Sequence, residues 1–548
     1  MISVVPLLSH ERSHDQKRPK WKLRASLLVL CTTCLVPFVG AATRFSPVVQ
    51  IVSGKLRGLY SGQLMIFKGI PYAAPPIGNL RWRPPQPVTP WNGVRAATEY
   101  GHDCMQILVP NDDAPLRTKP NEDCLYINVW APRDHGSSLR PVMVWIYGGG
   151  FVIGGSSPAV YDGSNFAKKG LVFVSFNYRL NRFGFFGFPA LLNEPGPYGC
   201  YEIMDQIAAL KWVRRNISAF GGNPHEVTIF GQSAGGISVS TLLSSPEAEG
   251  LFARAIIESG GGRSGGLGET PLGHPGPDGG ESAVQIGINF ARSVDIDGTG
   301  AAARAALRRL PPEKVVAGLD LAGPRAPRRG RTYSGPILDG VVLTHTVEAT
   351  YKECLQAKVP VIVGATSGDL GFSDARTIAD VFAPFGKNAA HAEKAFDVKA
   401  SEPPAQVAHE VATVETMIEP ARFVAQRVSA CGDSAYEYRF SYVAKPMRSS
   451  FNAAPHASEV PYVFGTLRES HFTHFGKGLT SEAYRLSSQI NDYWVNFAKT
   501  GNPNGPGLPH WRAFTTKRDE LLNFTETGPQ GEVDPWAGRL DLVERIQK

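Results

Sequence analysis

Hydrophobic positions along this chain fall into short, nearly continuous runs separated by turns rich in glycine and proline. Pro141-Val-Met-Val-Trp-Ile-Tyr147 and Leu171-Val-Phe-Val-Ser-Phe-Asn-Tyr178 are apolar almost throughout, the mark of strands buried on both faces. Val227 to Phe230, Ala253 to Ile257 and Val359 to Val363 are shorter runs of the same kind. Ile203, Ile207, Leu210 and Ile217 instead keep helical spacing, with Trp212 beside them. Arg214 and Arg215 lie near the end of that helix, where positive charge is favourable. Strands alternating with helices predict a mostly parallel sheet covered on both faces.

Nearer the ends, Ile51 to Gly58, Leu64 to Phe67, Asn121 to Trp130 and Ala435 to Tyr442 read as strands, the last two alternating. Glu482 to Thr500 reads as a helix and Leu521 to Asn523 as a final short strand. Phe67 to Pro85 carries five prolines, Pro71, Pro75, Pro76, Pro84 and Pro85, and is expected to be a rigid, extended surface segment. The Gly/Pro-rich stretch Gly260 to Gly280 is the most loop-like in the chain, the kind of surface segment that often carries function. A helical, less regular region from about Glu281 to Ala357 follows, with the basic cluster Arg325 to Arg331 taken for a solvated loop.

Candidate chemistry sits between one strand and the next helix. Val227 to Phe230 runs into Gly231-Gln-Ser-Ala-Gly-Gly236, a turn with little side-chain volume around Ser233. A serine hydroxyl needs a base and an unobstructed oxygen to become a nucleophile, and such a strand-to-helix elbow supplies the second. With 58 glycines the pentapeptide alone is weak, and a second match surrounds Ser264. That one leads into Leu267-Gly-Glu-Thr-Pro271, where a helix is not expected, so Ser264 reads as loop. Gly148-Gly-Gly-Phe151 follows another buried strand. Its glycines free backbone N–H groups to point into a cavity, as an oxyanion hole requires.

Composition narrows the class. Hydrophobic residues make up 43% and charged residues 19%, which argues against disorder. The formal charge of +7 is concentrated at the start: six Lys/Arg against Glu11 and Asp15 fall within the first 42 residues. No basic patch with interleaved aromatics appears, so nucleic acid is not an expected partner. Residues 1–42 read as an export signal, with an uncleaved membrane anchor as the alternative. A basic run ends at Arg24, an apolar run spans Leu27 to Val39, and Gly40-Ala-Ala42 follows. No membrane association is expected once a signal is cleaved. Of seven cysteines, Cys31 and Cys34 belong to that segment. Cys104 and Cys124 flank a polar loop that an exported protein can close with a disulfide. Cys200, Cys354 and Cys431 show no evident partners and read as free thiols. No Cys/His spacing suggests a metal.

These stretches resemble the type-B carboxylesterases, the branch of the α/β-hydrolases that also contains cholinesterases and bile-salt lipases. FKGIPYAAPPIGNLRWRPPQP, NEDCLYINVW, PVMVWIYGGGF, IFGQSAGG, HASEVPYVFG and FAKTGNPN match in the family's order, from about residue 45 to 525. The resemblance implies an α/β-hydrolase fold: a large, mostly parallel, twisted sheet with helices on both faces and insertions around the entrance. It implies one catalytic domain over residues 43–548, secreted or periplasmic, cleaving carboxylic esters of small molecules without metal or organic cofactor.

It also assigns roles. Ser233 is the nucleophile. Asp369, ending Gly364-Ala-Thr-Ser-Gly-Asp369, takes the place of the acid, although relatives more often have Glu followed by Gly there. Asp339 and Glu258 are its rivals. His456 matches the histidine loop, which His471 and His474 do not. Gly149, Gly150 and Ala234 supply the oxyanion hole. Cys104–Cys124 is the family's first disulfide, Arg81 pairs with Glu122, and Ser259 and Gln232 stand behind the triad. The family's later disulfides lack evident counterparts. Gln232 stands where cholinesterases have Glu, and residues 105 to 123 contain no Trp, so a choline ester is not the expected substrate. Lipase-like action on long acyl chains is the main variation, and a non-catalytic binding protein is the reading from another class.

Overall fold

The computed structural model describes residues 45–547 apart from 111, 135–137, 265–267, 278, 320–329 and 400. The export segment and Arg325, Arg328 and Arg329 of the basic cluster lie outside the described residues. From Phe45 onward the chain forms one compact unit around a 13-stranded sheet.

The N-terminal flank of that sheet is antiparallel. It comprises β1 (Phe45–Ile51), β2 (Gly54–Ser61), β3 (Leu64–Pro71) and β5 (Tyr126–Pro132), with the short β4 (Val94–Ala96) parallel to β2. The centre is β6 (Arg140–Ile146), β7 (Val172–Phe176), β8 (Gly222–Gln232), β9 (Arg254–Glu258), β10 (Val361–Thr366), β11 (Ala435–Phe440) and β12 (Glu520–Thr525). In the order β7-β6-β8-β9-β10-β11-β12 all of these pair in parallel, and β13 (Gly528–Val533) closes the far edge antiparallel. Apolar runs become central strands because helices cover both faces: every residue of β7 and β10 is buried.

Helix α1 (Tyr201–Asn216) is the crossover between β7 and β8, and α2 (Ala234–Ser244) follows β8 directly. Beyond them come α3 (Val347–Lys352), α4 (Glu419–Ala430), α5 (Val460–Phe464), α6 (Ser481–Thr500) and α7 (Ala537–Gln547). No helix among the described residues is long and apolar enough to cross a membrane.

The structure corrects several expectations. Ile51 to Gly58 is not one strand, because the chain turns at Val52 and Ser53 between β1 and β2. Ala435 to Tyr442 was expected to alternate, yet every residue of β11 is buried, since it lies between β10 and β12 under helices. The proline-rich segment is not simply surface. Trp82 is buried, stacks on Phe186 and donates from Nε1 to the Arg182 carbonyl at 2.6 Å. Beside it, Arg81 is buried because the Glu122 carboxylate meets it with two bonds of 2.9 and 2.5 Å, the expected pair. Arg331 donates to the Tyr333 and Ser334 carbonyls and is only half-exposed, so it is no free solvated charge. Neither β13 nor α7 was foreseen.

Cys104 and Cys124 are joined, as expected, and so are Cys354 and Cys431, which were not: their Cα atoms are 5.6 Å apart. The second bond links the residues just past the ends of α3 and α4, two helices that pack together although their cysteines lie 77 positions apart. Cys200 remains a buried free thiol.

Candidate active site

Ser233 stands where β8 gives way to α2, with φ 59° and ψ −126°, a left-handed conformation for a residue that carries a side chain. Such strain persists only where the surroundings over-determine it. Here they do so through backbone. The Ser233 N–H donates to the Glu258 carbonyl at 2.9 Å, and the Ile237 N–H returns to the Ser233 carbonyl at 2.9 Å. The elbow also rests on the end of β6: a Cβ on Gly235 would lie 2.0 Å from the Ile146 carbonyl oxygen, so only glycine fits. Ser233 itself is half-buried.

The loop after β6 lies against this elbow. A Cβ on Gly148 would come within 2.5 Å of the Gln232 carbonyl oxygen and 2.9 Å of Ser233 Cβ. Gly149 and Gly150 have φ of 112° and 61°, and Phe151 follows at 63°. This turn folds the Val152 and Ile153 N–H groups onto the Gly149 carbonyl. Among the described residues, no backbone carbonyl takes up the N–H of Gly149 or Gly150. Ala234 opens α2, so its N–H has no partner within the helix.

Asp369 and His456 reach the site from two loops laced together. Gly368 and Pro455 form a parallel bridge, the Gly368 N–H donates to the Ala454 carbonyl at 2.8 Å, and the Ala454 N–H donates to Ser367 Oγ at 3.1 Å. Asp369 is 1% exposed. Its Oδ1 lies 2.5 Å from His456 Nδ1 and accepts from the Leu370 N–H at 2.7 Å. Its Oδ2 accepts from Ser259 Oγ at 2.6 Å and the Thr366 N–H at 2.9 Å. Burial works against the charged carboxylate, yet His456, Ser259 and the backbone donor together hold its pKa below the ordinary value. Burial likewise opposes a charged His456, but the Asp369 carboxylate, helped by Glu459, raises the ring's pKa above its ordinary 6.5.

The ring's other neighbour is Gln232, whose Nε2 lies 3.4 Å from Nδ1 and 3.2 Å from Nε2. Among the described residues no hydrogen bond joins Ser233 Oγ to His456 in this conformation.

The rivals occupy other roles. Glu258 is buried at the end of β9, where burial pushes its pKa up to about 8 and Trp494 Nε1 donates to it at 2.7 Å. Asp339 Oδ1 accepts the N–H groups of Val341, Val342 and Leu343 and so caps a turn. His471 and His474 lie in a separate 3-10 turn, His471–Gly476. Ser264 is in a loop, its N–H on the Glu348 carboxylate at 3.0 Å. Sequence reasoning missed Thr413, whose Oγ1 donates to the Asp369 carbonyl at 2.8 Å, and the buried Glu459. The second lay in plain view, three residues past His456. No three His, Cys, Asp or Glu side chains gather as a metal site among the described residues.

The family model described as the carboxylesterase family matches residues 45–403 and 399–534. The chain is 34% identical over 498 residues to the fumonisin B1 esterase of Sphingopyxis macrogoltabida, covering 88% of this chain and 86% of that protein. It is 35% identical over 491 residues to the para-nitrobenzyl esterase of Bacillus subtilis (strain 168), covering 86% and 94%. With carboxylesterase 1C of Mus musculus the identity is 33% over 549 residues, covering 91% and 92%. An α/β-hydrolase sheet of this topology, matched along nearly its whole length, leaves one conclusion: the chain belongs to the carboxylesterase family and is a carboxylic ester hydrolase.

Proposed function

We propose that ester cleavage runs through Ser233 as nucleophile, His456 as general base and then acid, and Asp369 as the group that orients the imidazole. The observation that carries this reading is the chain of hydrogen bonds Ser259–Asp369–His456, which ends beside the elbow bearing Ser233. Asp369 on Nδ1 leaves Nε2 as the nitrogen that receives a proton. Ser233 Oγ attacks the ester carbonyl as its proton passes to Nε2. The N–H groups of Gly149, Gly150 and Ala234 receive the charge that develops on the carbonyl oxygen. The alcohol leaves with the proton from His456, and an acyl group remains on Ser233. Water, deprotonated by the same nitrogen, then releases the acid. The missing Ser233–His456 bond fits this scheme, because catalytic hydrogen bonds are often long before substrate binds.

In the same reading, residues 1–42 direct export, the rest is one catalytic domain, and the product acts outside the cytoplasm. The two disulfides support this, since such bonds persist in oxidising compartments.

The test is hydrolysis of p-nitrophenyl esters from acetate to palmitate, with Ser233→Ala alongside. Short esters should be turned over and the variant should lose about 10³-fold or more in kcat. A variant as fast as the wild type would remove Ser233 from the mechanism.

A further inference from the structure

The Gln232 amide nitrogen is almost equally close to both ring nitrogens of His456, at 3.2 and 3.4 Å. That fact fixes where it sits. An in-plane hydrogen bond to one nitrogen would leave the other much farther away. A position in the plane and equidistant from both would drive the amide into Cε1. The amide therefore lies over the face of the imidazole. Gln232 is 5% exposed, and its backbone is the last residue of β8, paired with Glu258 of β9 and leading into the strained elbow. It has little freedom to leave.

We infer that Gln232 is a positioning residue for His456: its amide, packed on the ring's face, holds the imidazole against rotation while adding no charge. Asp369 fixes one nitrogen, but a single hydrogen bond still permits the ring to swing about it. A plate of atoms on the face removes that motion and keeps Nε2 turned toward Ser233. This inference rests on the triad reading above and adds to it a residue that acts only through His456, without itself giving or taking a proton.

The neutrality matters because of what else surrounds the ring. Asp369 reaches it from the loop after β10 and Glu459 from its own loop. Glu258 at the end of β9 and Tyr438 of β11 face Glu459 in turn. Burial raises the pKa of Glu258 and Glu459, whereas His456 and the hydrogen-bond donors around Asp369 lower that of Asp369, so Asp369 is the carboxyl beside the ring that most readily carries charge. A carboxylate at position 232 would be a second anion against the ring. It would favour the imidazolium and delay the appearance of the free base as pH rises.

Three variants test this, with kcat expressed per active site by titration with an organophosphate. Gln232→Glu, nearly isosteric, should move the acidic limb of kcat/KM upward by about one pH unit or more. The His456 titration followed by NMR of ¹³C-labelled histidine should move in parallel. Gln232→Ala should lower kcat about tenfold or more with little change in KM and none in the limb, the signature of a misplaced base. Gln232→Met, which restores the plate without the amide, should recover most of that loss. The inference is overturned if Gln232→Glu leaves both the limb and the NMR titration where the wild type has them. It is equally overturned if Gln232→Ala turns over within twofold of wild type. Should Gln232→Ala fail to fold, the Glu variant decides alone. A failure of the triad itself would look different: His456→Ala would then match the wild-type rate.

Discussion

On the Ser233 side of the candidate site backbone rests on backbone, whereas on the Asp369 side most of the contacts run through side chains. Around Ser233, an added Cβ on Gly235 would meet the Ile146 carbonyl and one on Gly236 the Glu258 carbonyl at 2.7 Å, and the strained turn is locked by two main-chain hydrogen bonds. Around Asp369 and His456, Ser259 Oγ donates to the carboxylate and Thr413 Oγ1 to the Asp369 carbonyl, while Ser367 Oγ and one main-chain bond from Gly368 to Ala454 join two loops that belong to no regular element. Behind those loops a separate apolar cluster gathers Val381, Phe382, Phe385, Phe396, Val411 and Met417 with Leu540 and Val543 of α7. The Cys354–Cys431 bond encloses the chain from before β10 to the end of α4, Asp369 included but not His456. In the proposed mechanism, the nucleophile Ser233 must keep a strained turn and is fixed by close-packed strands. Asp369 and His456, proposed to hold a proton at one atom, are fixed by hydrogen bonds that tune its affinity.

That contrast can be broken at several points. The largest effect is expected from Asp369→Asn. An amide on Nδ1 supports the wrong tautomer, and kcat should fall by about 10³- to 10⁴-fold. The pH profile carries the sign. The free base is the active form, so the rate falls as pH drops through the His456 pKa, which Asp369 raises above 6.5. Without that charge, the residual activity should keep its acidic limb at lower pH than the wild type. A limb left in place would mean that Asp369 does not set the ring's proton affinity.

Next in size is removal of the second disulfide. Opening a loop of 77 residues should cost on the order of 4 kcal/mol by chain entropy, read as a lower Tm for Cys354→Ala/Cys431→Ala. If the two sides are held as described, kcat at low temperature should fall more than reactivity of Ser233 toward an organophosphate. Equal losses would show the elbow to depend on the same staple. The smallest effect belongs to Ser259→Ala. Asp369 keeps its Thr366 and Leu370 N–H donors, so losing one charge-assisted bond should lower kcat by about tenfold. A loss as large as that of Asp369→Asn would make Ser259 part of the machinery and not a support.

The same contrast decides how much could be read from the chain. Ser233 was legible because its requirements are local: a buried run, glycines at fixed offsets, then a helix. The central parallel strands were legible for the same reason. Asp369 and His456 came from matched loops and not from periodicity, because a loop carries no repeating signal. The second apolar cluster went unseen. Its residues come from short helices and from the C-terminal α7, and what joins them is distance-spanning contact that no local pattern encodes. Cys354 and Cys431 stayed unpaired in the reading for the same cause. Trp82 was misjudged because five prolines argue only against regular structure, and say nothing about burial.

The central claim is that Ser233 carries the acyl group. It is tested most directly by reacting the protein with a p-nitrophenyl phosphonate, counting the p-nitrophenolate released and locating the adduct by peptide mass spectrometry. Oγ–P bond formation with loss of the aryl oxide should release one equivalent per chain, abolish ester hydrolysis and leave the whole adduct on the peptide containing Ser233. An adduct on another serine, Ser264 included, with hydrolysis lost in step, would contradict the account.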